Sequence, residues 1–78
     1  MIKEILLLTE LIEVQELMTI LRRHAPSVSI RHVVTRADLE AAAETGLAGK
    51  RLIGFCTPVI VSKSILDTLD GPAYHFHP

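Results

Sequence analysis

The sequence predicts an α/β domain built on a parallel sheet, and three observations carry that expectation. Strand-like and helix-like segments alternate along all 78 residues in the order β-α-β-α-β-α-β. Alternation of this kind implies parallel strands with helices on the faces of the sheet. The first segment, residues 2–8, is a nearly unbroken apolar run, the pattern of a strand buried on both faces. The segment after it repeats apolar residues at spacings of three and four, which is the helical period.

Taken in order, the elements justify themselves locally. After the first strand, Leu11, Val14, Leu17, Met18 and Leu21 form one stripe of a helix over residues 10–24. Thr9 is placed to cap it, Glu10 and Glu13 suit the positive end of its dipole, and Pro26 stops it. Arg22 and Arg23 suit its negative end. Val28, Ile30, His32 and Val34 alternate with Ser29, Arg31 and Val33 in a second strand, less apolar than the first and therefore nearer a sheet edge. Thr35 and Asp38 have the spacing of a capping box. A helix over 36–45 follows, with Leu39, Ala42 and Ala43 inward and Gly46 as its stop. Residues 51–56 form a third strand and 57–61 an apolar loop. Ser62 caps a short helix over 63–69 that turns Ile65, Leu66 and Leu69 inward. After a turn at Asp70, Gly71 and Pro72, residues 73–77 form a fourth strand.

Composition narrows the function classes. A net charge of −1 gives no electrostatic basis for nucleic-acid binding. One cysteine, Cys56, allows no internal disulfide and reads as a small core residue in a reducing compartment. No run approaches the ~20 apolar residues of a membrane span, and residues 5–8 fall short of a signal-peptide core. The expectation is a cytoplasmic protein. With 49% hydrophobic residues and few aromatics, the core is aliphatic. A mean hydropathy of +0.37 is high for a chain this short and implies apolar surface covered by a partner or by more of the same domain. A domain this small buries only ~60% of the surface its unfolded chain exposes.

In open parallel sheets ligands bind at the carboxyl ends of the strands. Three segments lie there: Thr9 and Glu10, residues 56–61, and residues 74–77. Neither G-x-G-x-x-G nor a phosphate-binding G-x-x-x-x-G-K loop is present, so nucleotide phosphate binding has no support. His75 and His77 are the sharpest feature. Two apart on a strand, they share a face, while Tyr74 and Phe76 take the other. Two imidazoles there suit proton transfer. A metal site would need further ligands, and His24 and His32 lie on other elements, so no metal is expected. The two histidines read equally well as the solvent-side residues of an edge strand.

The stretch from Gly54-Phe-Cys-Thr-Pro-Val-Ile-Val through Ser-Lys-Ser-Ile-Leu-Asp67, followed by Gly71-Pro-Ala-Tyr-His-Phe-His-Pro78, resembles the N-terminal part of the folate-dependent formyltransferase family. The resemblance spans the chain in element order and is specific in residues 54–78. It implies a truncated formyltransferase-like domain over residues 1–78: half of a Rossmann-like fold with parallel strand order 3-2-1-4. It also implies 10-formyltetrahydrofolate as cofactor. Thr57, Pro58, Val59, Ile60 and Val61 then correspond to the loop that lines the folate pocket. His77 falls on the family's catalytic histidine, and His75 on the position of its asparagine. An imidazole can still donate one hydrogen bond to an oxyanion, as the amide does. The family's catalytic aspartate has no counterpart in residues 1–78, so the chain is expected to be inactive alone. The fourth strand would leave an open edge, and open edges recruit partners. The expected partner is a second copy of the chain or a C-terminal half of the domain. The alternative function is therefore a non-enzymatic, homodimeric interaction module.

Overall fold

The computed structural model describes residues 2–10, 14–69 and 71–76. They form β1 (Glu4–Thr9), α1 (Val14–His24), β2 (Ser29–Val33), α2 (Arg36–Glu44), β3 (Lys50–Phe55), α3 (Lys63–Thr68) and β4 (Tyr74–Phe76). The four strands make one sheet in the order β2-β1-β3-β4, and every pairing is parallel. The α/β class and the alternating element order are as the sequence predicts.

The strand order 3-2-1-4 is corrected. β3 lies against β1, in register from Glu4 opposite Lys50 to Thr9 opposite Phe55, and not outside β2. Burial explains the choice. In β2 only Val33 is buried and Ser29 and Arg31 are exposed, so this strand tolerates an edge. β1 is buried from Ile5 to Thr9 and requires a strand on each side. β3, with Leu52 and Gly54 buried, supplies the second side.

This order also fixes where the helices lie. The step from β1 to β2 runs one way across the sheet, and the steps from β2 to β3 and β3 to β4 run the other way. Right-handed crossovers then put α1 on one face and α2 and α3 on the opposite face. The α2–α3 face holds a continuous core. Leu6, Leu8, Val33 and Leu52 from the strands meet Leu39 and Ala42 of α2 and Leu47 of the following turn. Ile65, Leu69 and Ala73 pack against that cluster from the α3 side. On the other face Ile5 and Leu7 are buried, as is Val14 of α1.

Local chemistry sets the helix ends. The Thr35 hydroxyl accepts from the Asp38 N–H at 3.1 Å, and the Asp38 carboxylate accepts from the Thr35 and Val34 N–H groups at 3.1 and 3.2 Å. These bonds hold the Asp38 carboxyl below its ordinary pKa, the one from the Thr35 N–H contributing most. Gly46, at φ 92°, takes the left-handed conformation that lets the chain leave α2. Ser62 caps α3, accepting from the Ile65 N–H at 3.4 Å.

Thr9 does not cap α1. It is the last residue of β1, fully buried, and its hydroxyl donates to the Phe55 carbonyl at 2.8 Å. A buried hydroxyl needs a partner, and the neighbouring strand end supplies one. Its own carbonyl is bonded by His32 Nε2 at 2.8 Å. Since that oxygen is an acceptor, Nε2 carries the proton. His32 thus ties β2 to the carboxyl end of β1. Leu11, Ile12 and Glu13, part of the predicted helix, lie outside the described residues.

Candidate functional site

The carboxyl ends of β3 and β4, the loop 57–61 and α3 enclose a cavity of about 510 Å³. That volume is within the usual range for a small-molecule site, ~300–1,000 Å³. Leu8, Leu52 and Gly54 form the strand floor. Thr57, Pro58, Val59, Ile60 and Val61 all contribute to the wall, and Leu66 of α3 faces them. Residues 73–75 close the β4 side.

The loop is shaped by its first residues. Cys56 has φ 49°, a left-handed conformation costly for a side chain with a Cβ, and its N–H donates to the Phe76 carbonyl at 2.9 Å. That turn carries the chain off β3 toward α3. Thr57 is buried, and its hydroxyl accepts from the Val59 N–H at 3.2 Å. Pro58 restricts the backbone between them. Ile60 is 84% exposed and lies at the rim.

β4 is held to β3 in register Ile53 opposite Tyr74, Gly54 opposite His75 and Phe55 opposite Phe76. Alternation sends the His75 side chain to the face that Gly54 shares and the Tyr74 and Phe76 rings to the other face, as the sequence predicts, with Tyr74 also bordering the cavity. There the Phe76 ring meets Phe55 with centroids 6.5 Å apart, and the Arg51 guanidinium sits 5.7 Å from the Tyr74 centroid. These contacts fix which way β4 faces. All three β4 residues are exposed.

The structure therefore brings the loop residues 57–61 and His75 to one cavity. His77 lies outside the described residues. No described lining residue is an Asp, Glu, Lys or Arg, and His75 is the only titratable imidazole among them. No group of three or more His, Cys, Asp and Glu is placed to hold a metal ion among the described residues. No helix of the described residues is long and apolar enough to cross a membrane.

Sequence reasoning missed the floor of the cavity. Leu8 and Leu52 fall inside predicted strands, and nothing in the sequence singles them out. Gly54 carried a usable signal, because a glycine inside a strand pattern marks close approach of another group. Comparison with known proteins gave no match to a family model, to a curated protein or to a solved structure.

Proposed function

We propose that this chain is a ligand-binding α/β module of formyltransferase-like ancestry, whose cavity takes one small molecule: one with an apolar body, as its lining favours, or a folate in the version that the resemblance implies. The observation that carries the reading is the convergence of Thr57, Pro58, Val59, Ile60 and Val61 with His75 on one cavity. Its walls supply apolar contact, and the His75 imidazole supplies a hydrogen-bonding group at the mouth. A cavity with a mostly apolar lining and few directed polar groups is the usual form of a small-molecule site.

Binding is favoured over catalysis by the charge of the site. General acid–base work on an acyl group needs a base oriented by a third group, and no carboxylate lines the cavity among the described residues. Titration calorimetry with 10-formyltetrahydrofolate tests the reading. A one-site isotherm without formyl transfer to an amine is the expected result. Absence of binding would remove the folate-like version, and turnover that His77→Ala abolishes would overturn the non-catalytic part.

The second reading is a self-associating interaction module. It is favoured by the position of β4, a sheet edge with Tyr74 44% and Phe76 51% exposed. An uncharged edge strand that exposes aromatic side chains is a ready template for pairing.

A further inference from the structure

Gly54 is a glycine that backbone conformation does not require. Its φ is not among the positive values, which belong to Cys56, Gly46 and Gly49. Inside a strand a glycine is less stabilising than an alanine. What it contributes is space. A Cβ built at residue 54 would stand 3.3 Å from His75 Cδ2, 3.6 Å from His75 Cγ and 3.6 Å from the Thr57 methyl. The first distance is tighter than ordinary carbon–carbon contact, so the imidazole would have to give by a few tenths of an ångström. The two residues are direct partners across β3 and β4, so the ring lies over the backbone of its neighbour, where a side chain would otherwise stand.

We infer that Gly54 is a specificity-determining residue of the cavity. It seats the His75 imidazole against the β3 backbone as the polar wall. The ligand it selects has an apolar body, received by residues 57–61 and Leu66, and one hydrogen-bonding group directed at His75. The inference rests on the ligand-binding reading and adds to it the residue that sets ligand shape and the position of the polar group.

The test uses 2-naphthol, a two-ring apolar body with one hydroxyl, against naphthalene, which lacks the hydroxyl. Fluorescence titration of the 78-residue chain should show tighter binding of 2-naphthol. Gly54→Ala should weaken 2-naphthol binding about tenfold or more, the effect of one misplaced methyl-sized group in a fitted pocket. His75→Ala should erase the preference for 2-naphthol. The double variant Gly54→Ala, His75→Ala should bind no worse than His75→Ala alone, since the alanine methyl then meets no ring. That non-additivity is the signature of direct coupling. A ligand-free readout accompanies it: a nuclear Overhauser contact between the Gly54 Hα protons and His75 Hδ2. Additive effects of the two substitutions, or absence of that contact, overturn the inference while leaving a binding cavity in place. Failure of the wild-type chain to bind either naphthalene or 2-naphthol overturns the ligand class inferred here, and the binding reading itself falls if 10-formyltetrahydrofolate gives no isotherm either.

Discussion

Thr9→Val replaces a hydroxyl at the carboxyl end of the central strand β1 with a methyl and nearly keeps the side chain's shape. Thr9 is fully buried, and its hydroxyl donates to the Phe55 carbonyl at 2.8 Å. The bond joins the carboxyl ends of β1 and β3, one residue before the Cys56 turn that launches the cavity loop. Valine occupies the same volume but offers no donor. The net worth of a protein hydrogen bond is about 0.5–1.5 kcal/mol, and a buried group left unpaired costs about 1–3 kcal/mol. Because the Phe55 carbonyl is only partly buried, water recovers some of that, and a loss of about 1.5 kcal/mol is the working figure. In a domain of this size 1 kcal/mol moves Tm by about 4–8 °C, so the expected drop is about 6–12 °C. Thermal unfolding followed by far-ultraviolet circular dichroism reads it. Thr9→Ser is the control, because it keeps the donor and loses one methyl, worth about 0.8 kcal/mol before any cavity term. Serine should therefore be the milder change. A Thr9→Val variant as stable as the wild type, or less damaged than Thr9→Ser, refutes the hydrogen bond as the tie between the strand ends.

Two further outcomes follow from particular contacts. Asp38 is held below its ordinary pKa by the Thr35 and Val34 N–H groups, so its folded value is the lower one. Its contribution to stability is complete above the unfolded value of about 3.9 and fades as pH falls through the folded value. The stability gap between wild type and Asp38→Asn in urea melts should shrink from pH 5 toward pH 2, and a gap that stays constant over that range refutes the assignment. For the self-association reading, light scattering at micromolar concentration should give twice the 8.6 kDa of one chain. Phe76→Lys, which puts a charge on the β4 edge, should return the mass of one chain. A wild-type chain that runs as a monomer ends that reading.

What the sequence made legible was local. The capping box at Thr35 and Asp38, the stop at Gly46, the cap at Ser62 and the facing of His75 against Tyr74 and Phe76 each depend on residues a few positions apart. Strand order is not local. The sequence marked β2 as the less apolar strand and so as edge material, which the structure shows. The order implied by the family resemblance placed β2 inside the sheet, and those two expectations were in conflict. Burial resolves it, since β1 needs a neighbour on each side and β3 has the buried Leu52 and Gly54 to provide one. Thr9 shows the same limit. A threonine before a helical stripe fits a cap by spacing alone, but its hydroxyl answers to Phe55, which is 46 residues away in the chain.

The cavity and the β4 edge are not independent features, because His75 belongs to both. Its imidazole lies over Gly54 on the cavity side, while its backbone is part of the strand that ends the sheet. The described residues of β4 are Tyr74–Phe76, and on their inner side they rely on β3, with the Cys56 N–H to Phe76 carbonyl bond at 2.9 Å among their ties. Anything that pairs with its outer edge would stiffen it and hold the His75 ring in place. Ligand binding and partner binding at this end of the sheet would then favour one another, since the second event orders less than the first. If both proposals hold, the cavity would bind more tightly in an assembly that covers β4.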